Sequence, residues 1–348
     1  MKKFLLVLVA VLFVLSGCSK APADDSTDTN TDPAPVTYKA GMGSVSSFSN
    51  SDVEDGEDGS IEHDTTVCAL VVDSEGKIVA VTFNTSQIRG TISGEDATVT
   101  LTDDLRTKRE KKFDYGMKDT SASKGVIAEG GEWFEQVDAL EAALVGKNVA
   151  DIDSLVAEGE FSDADLVAGC TIHTYDFVNS LKKAVANLVD IGESYESLKT
   201  GMIASHKVSE KDEDGTPIEI DVTMCLAVEA NGVLSHVVFD VAQDKMTVDA
   251  EGVCETPTEL PTKREKLEAY GMKETSASKG VIEGGGEWYE QADNLAAGLV
   301  GKTLADACAT ELTEDTYLVD ADLFAGCTIH ASDFIKVLNE AAANDWAK

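Results

Sequence analysis

The sequence predicts an α+β fold made of two tandem duplicated domains, each a small antiparallel sheet packed with helices, and three observations predict it. Residues 108–147 recur as residues 263–302, with 29 of 40 positions identical at an offset of 155. Two copies of so long a unit mean domain duplication, because solenoids repeat many times on periods of about 20–50 residues. Ahead of each copy stand two runs rich in β-branched residues joined by a turn, and behind it lie segments with apolar residues at helical spacing. Strands first and helices later place the helices against an antiparallel sheet.

The elements follow in order. In the first unit, residues 66–72 and 78–84 read as a hairpin around the turn DSEGK. In the second, residues 224–228 and 233–241 flank Asn231 and Gly232, a pair that accepts the positive φ angles of a tight hairpin turn. Gly131, like Gly286, opens a helix on which Trp133, Val137, Leu140 and Leu144 form one apolar stripe, and Gly146 ends it. Trp133 and Trp288 have two readings, a cover for a flat cofactor ring or core packing, and their place on the stripe favours the core. A last helix covers residues 176–189, with Phe177, Leu181 and Val185 on one face. Its partner begins near Asp333 and carries Phe334, Val337, Leu338 and Ala341. The SASKG stretches, residues 121–125 and 276–280, read as small polar loops. Upstream, Lys39, Gly41 and Met42 align with Lys199, Gly201 and Met202, and Cys68 with Cys225. The whole series is thus present twice, in units 38–190 and 195–348.

Residues 1–17 read as an export signal: Lys2 and Lys3, an apolar run over residues 4–15, then LSGC. The run falls short of the roughly 20 apolar residues that a membrane span needs. The LSGC ending resembles the lipobox of bacterial lipoproteins. That resemblance implies cleavage ahead of Cys18, lipid on its sulfur, and a place on the extracellular face of the cell membrane. Acyl chains contribute about 0.8 kcal/mol per buried methylene, so two or three make a stable anchor. Residues 18–37 are then the lipidated cysteine and a polar tether, too poor in apolar side chains to fold and of a length suited to a Gram-positive wall.

Sixty-four acidic against 28 basic residues give a formal charge of −36. That excludes a general nucleic-acid binder and extended contact with anionic lipid. Six cysteines besides Cys18 are too few for a disulfide scaffold. The pairs to look for are Cys68 with Cys170, Cys225 with Cys327, and Cys254 with Cys308. His63, His173, His206, His236 and His330 do not fall at metal-ligand spacing, and no glycine-rich phosphate loop follows a strand.

The chemistry-bearing segment is DLVAGCTIH at residues 165–173, matched by DLFAGCTIH at residues 322–330, each followed by a helix. Together with the GKI turn and the YGMK, GGEW and LVGK segments, it resembles the FMN-binding-domain proteins. The likeness is to the flavinylated surface lipoproteins that Gram-positive bacteria use for extracellular electron transfer, and it covers nearly all of both units. It implies FMN attached through a phosphoester to Thr171 and Thr328, moved there from FAD by a dedicated flavin transferase. Asp165 and Gly169, with Asp322 and Gly326, are the other matching motif positions. A membrane quinol-oxidising system is the implied electron donor. The chain departs from the motif at Ala168 and Ala325 (serine in the family), Cys170 and Cys327 (alanine), and His173 and His330 (threonine).

The residues make physical sense of this. Glycine permits close backbone approach, and a threonine just before a helix meets free N–H groups that suit a phosphate. A threonine hydroxyl is a weak nucleophile, so attachment is catalysed from outside. In so acidic a protein a covalent bond keeps an anionic flavin from being lost. Two other functions stay open: a flavin-free ligand-binding or adhesion lipoprotein, and an accessory subunit of an extracellular flavin reductase. The sequence offers no acid, base or arginine cluster for a substrate of its own.

Overall fold

The computed structural model describes residues 36–344 and 346. The signal segment, Cys18 and nearly all of the tether lie outside the described residues. The first repeat runs β1 (Tyr38–Phe48), β2 (Gly59–Asp73), β3 (Ile78–Ile92), β4 (Val99–Leu101), α1 (Lys108–Lys111), α2 (Lys118–Ser123) and α3 (Trp133–Leu144). It continues through β5 (Val156–Ala157), β6 (Glu160–Phe161), α4 (Ala164–Val167), α5 (Tyr175–Ala186) and β7 (Val189–Gly192). The second runs β8 (Ser197–Val208), β9 (Thr216–Ala230), β10 (Val233–Val248), β11 (Cys254–Glu255), α6 (Lys263–Lys266) and α7 (Lys273–Ser278). It ends with α8 (Trp288–Leu299), α9 (Leu304–Cys308), α10 (Ala321–Gly326) and α11 (Ser332–Ala343). This is the α+β fold that the sequence predicts.

Two large antiparallel sheets form, in the orders β4-β3-β2-β1-β7 and β11-β10-β9-β8, and β5 pairs with β6 as a small third. The hairpins are longer than the apolar runs alone suggested, because pairing extends well past them into polar segments. Asn231 and Gly232 have φ of 53° and 76°, as their hairpin turn requires.

Strand periodicity sets the layering. Along β2, Val67, Ala69 and Val71 face one apolar cluster while Cys68, Leu70 and Val72 face another. In β9, Val222, Met224, Leu226 and Val228 join the same cluster as Val67, whereas Cys225 and Ala227 face the helices of the second repeat. The inner faces of the two sheets therefore pack on each other, and the helices of each repeat cover its outer face. The layers read helix, sheet, sheet, helix. From Val36 onward the chain is one compact unit: each repeat has a helix-covered core of its own and shares a third core with the other.

One buried polar contact crosses that shared core. His63 Nε2 meets Asp244 Oδ2 at 2.8 Å, with side-chain exposures of 0% and 1%. Within the sheets, His63 stands opposite Ile88 and Asp244 opposite Ile220.

Register also corrects the alignment of the first strands. Gly43, not Gly41, stands opposite Cys68, as Gly201 stands opposite Cys225. A slip of two residues leaves each side chain on its own face, so the apolar pattern cannot reveal it. A Cβ at Gly43 would lie 2.4 Å from Ala184 N, and one at Gly201 would lie 2.1 Å from Val337 O. These glycines let α5 and α11 press directly on the strands.

Other details differ from the sequence reading. The SASKG stretches begin inside the short helices α2 and α7, because Ser and Ala tolerate a single turn. Helix α3 starts at Trp133 with Glu132 as N-cap, two residues after Gly131. The last helix of the first repeat stops at Ala186, and Val189–Gly192 pairs with β1 as an edge strand. Cys68, Cys170, Cys225, Cys254, Cys308 and Cys327 are all free thiols, so none of the three candidate pairs forms.

Candidate functional site

The GGEW segments build the site from local rules. Glu132 accepts from the backbone N–H of Glu135, and Glu135 accepts in return from Glu132 N, a capping box that starts α3. Glu132 Oε2 accepts from Met117 N at 2.8 Å, which ties α2 to the helix start. Trp133 is 1% exposed in the core, as its stripe predicts. The second repeat repeats the arrangement with Glu287, Glu290, Met272 and Trp288.

Three positions after each tryptophan comes a residue that the sequence reading missed. Gln136 donates through Nε2 to Gly131 O at 2.7 Å, which turns its amide oxygen toward the Thr171 loop. That oxygen accepts from Thr171 N at 2.7 Å and from Thr171 Oγ1 at 2.8 Å. Gln291 does the same: Nε2 to Gly286 O at 2.8 Å, and Oε1 accepting from Thr328 N at 2.8 Å and Oγ1 at 2.9 Å. One buried amide thus clamps both the backbone and the hydroxyl of each motif threonine. The signal was present, since a glutamine on the buried side of a helix needs polar partners.

The two threonines are not equally placed. Thr171 is half-buried, with Ser121 Oγ 3.2 Å from its hydroxyl. Thr328 is 1% exposed, and its carbonyl accepts from Lys279 Nζ at 2.6 Å. Both threonines precede the starts of α5 and α11, as expected, but by four residues, so neither sits in the helix's first turn.

Beside Thr328 lies a cavity of about 400 Å³, within the range of roughly 300–1,000 Å³ typical of ligand sites. Ile329 and His330 line it, with Lys263, Lys279, Tyr270, Trp288, Asp221 and Phe334 among its other walls. Lys263 Nζ sits 5.4 Å from the Tyr270 ring centre and 3.9 Å from Asp221 Oδ1. In the first repeat, Lys108 Nζ holds the same relation to Tyr115 at 5.4 Å and to Asp64 Oδ1 at 3.4 Å. Asp64 Oδ1 and Asp221 Oδ1 are buried without a hydrogen bond. Burial pushes the Asp221 carboxyl above its usual range, despite Lys263. By sequence and strand register, every lining residue but Val241 has an identical counterpart in the first repeat; Thr85 takes that place.

The remaining motif residues play other parts. A Cβ at Gly169 would lie 2.7 Å from Ala139 Cβ, and one at Gly326 would lie 2.9 Å from Asn294 Cβ. Their close approach is to α3 and α8, which seats the threonine loops. Asp165 and Asp322 are exposed, and Asp163 and Asp320 are the N-caps of α4 and α10. Asp322 and Gly326 line an open groove with Asn294 and Lys302, while the threonine cavity has a different lining. Burial pushes the Cys170 thiol up and the Cys327 thiol up to about 11, which makes both poor nucleophiles.

Among the described residues no group of three or more His, Cys, Asp or Glu is placed to hold a metal. Among them, too, no helix is long and apolar enough to cross a membrane. Compared with protein-family models, curated proteins and solved structures, the chain matches none.

Proposed function

We propose that this chain is a membrane-anchored extracellular electron carrier with FMN held covalently on Thr171 and Thr328. The observation that carries the reading is the cavity beside Thr328, whose lining recurs in the first repeat. Its chemistry fits the cofactor: Tyr270 supplies a partly exposed ring, the buried Trp288 and Phe334 an apolar floor, and Lys263 and Lys279 cations for a phosphate. Asp221 and Asp333 also line the cavity, so the two lysines set its charge against two carboxyls. FMN supplies reversible one- and two-electron chemistry, which no side chain of the cavity offers.

The chain's own residues would bind and orient. In the attachment step, the threonine Oγ attacks the FMN phosphorus of FAD. The Oγ–P bond forms, the anhydride bond to AMP breaks, AMP leaves, and the hydroxyl proton passes to a base of the transferase. Gln136 and Gln291 hold the acceptor hydroxyls as hydrogen-bond donors, so each Oγ keeps lone pairs free for attack. The flavin transferase, a quinol-oxidising donor and the lipid anchor on Cys18 are the implied partners. Asp165 and Asp322, exposed beside the loops, would face an enzyme reading the motif.

Coexpression with a flavin transferase should give a yellow protein whose fluorescence survives denaturation. Peptide mapping should find one FMN on each threonine, one fewer with either Thr→Val change, and none with both. Protein that stays free of covalent flavin beside an active transferase refutes the reading. A second reading, a lipoprotein that binds its ligand without a bond, is favoured by the burial of the Thr328 hydroxyl. It predicts colourless protein from native membranes.

A further inference from the structure

We propose that the two threonines are unequal acceptors: Thr171 is loaded first, and Thr328 only after a strap formed by Lys279 and Tyr317 leaves its loop. This rests on the flavin-attachment reading and concerns the order in which the two bonds form.

The strap is built from contacts on one side of the Thr328 loop. Lys279 Nζ donates to Thr328 O at 2.6 Å and lies 4.7 Å from the centre of the Tyr317 ring. Tyr317 stacks on His330 at 4.5 Å between ring centres, and its hydroxyl lies 3.3 Å from His330 Nε2. The cation, the two rings and the loop carbonyl therefore form a continuous chain across the segment, while Gln291 grips the threonine from behind. A phosphate cannot reach Oγ1 of Thr328, in a residue 1% exposed, until one side of this clamp opens.

The first repeat has the same lysine and histidine but not the ring. Glu160 occupies the position of Tyr317. Its carboxylate accepts from Thr174 N at 3.0 Å and meets His173 Nδ1 at 3.1 Å. Glu160 thus braces the start of α5 and does not stack over the loop. Lys124 and its counterpart Lys279 are both exposed, but among the described residues only Lys279 bonds its loop carbonyl, and Thr171 is half-buried where Thr328 is buried. The second acceptor is shielded by a residue that the first repeat lacks.

The transfer step is the same at both sites. Oγ attacks the FMN phosphorus of FAD, the anhydride bond to AMP breaks, AMP departs, and the proton goes to the transferase. Only access differs. One charge-assisted hydrogen bond and one stacked ring predict at least a roughly tenfold slower appearance of flavin on Thr328 than on Thr171.

The test follows flavin on each tryptic peptide over time in full-length protein treated with transferase and FAD. Tyr317→Glu should bring Thr328 close to the Thr171 rate, and Glu160→Tyr should slow Thr171. Amide hydrogen exchange, which needs no flavin, should show Thr328 N–H about tenfold slower than Thr171 N–H, with the difference erased by Tyr317→Glu. Equal loading rates with equal exchange overturn this inference and leave the attachment reading intact. No flavin on either threonine overturns the attachment reading and the loading order with it, and exchange then reports whether the strap exists at all.

Discussion

Replacing Asp244 by isoleucine removes one half of the buried contact between the sheets. His63 Nδ1 already lacks a hydrogen-bond partner, so the variant leaves both ring nitrogens of a fully buried histidine unpaired. Breaking a buried pair from one side costs about 3–5 kcal/mol, because the orphaned partner keeps its desolvation penalty. The structure supplies its own control. Ile88 and Ile220 already sit opposite His63 and Asp244, and each repeat carries isoleucine where the other carries the polar residue. The double change His63→Ile with Asp244→Ile therefore extends an apolar seam, and such replacements are neutral or stabilising by about 1–4 kcal/mol. Circular dichroism during heating checks both. At roughly 2–4 °C per kcal/mol, the single variant should melt about 10 °C below wild type, and the double variant at or above it. A single variant as stable as wild type, or a double variant less stable than the single one, refutes the reasoning.

Two further outcomes follow. Burial, with help from the Glu110 charge, pushes the Glu340 carboxyl up to about 7 from an ordinary 4.5. The folded chain then holds this proton more tightly than the unfolded one. Its contribution to stability is therefore full below about 4.5 and is lost as pH rises through about 7, by up to about 3 kcal/mol at about 1.4 kcal/mol per unit. Burial drives Glu141 (to about 7) and Asp240 (to about 6) in the same direction. Glu340→Gln should flatten the slope of urea midpoints measured between pH 5 and 8, and an unchanged slope would count against this account. Separately, Cys18→Ala should leave the precursor unprocessed and free of labelled palmitate; incorporation of the label would remove the anchor from the proposal.

What the sequence made legible was local and periodic. The hairpin at Asn231 and Gly232 and the stripe of Trp133, Val137, Leu140 and Leu144 were readable because turn chemistry and helical spacing act over a few residues. The shared core was harder to read. The run from Val67 to Val72 is buried on both faces in the folded chain, and periodicity does not say what covers each face. Gln136 and Gln291 escaped notice for a related reason. A polar residue on an apolar helix face announces that it has a partner, and only the folded chain brings the threonine loop from 35 or 37 residues away. Asp163 and Asp165 both stand at the start of α4, and only the folded chain shows that Asp163 is its cap.

The segment that joins the repeats is itself a strand: Val189–Gly192 is zipped to β1 before β8 begins the second sheet. The connection is thereby absorbed into the first sheet, and the two halves are gripped across a continuous apolar seam. The separation of the two threonine loops is then a fixed length, like the spacing of marks on a ruler. A partner that visits both loops must turn or travel, because the distance between them is set by packed side chains.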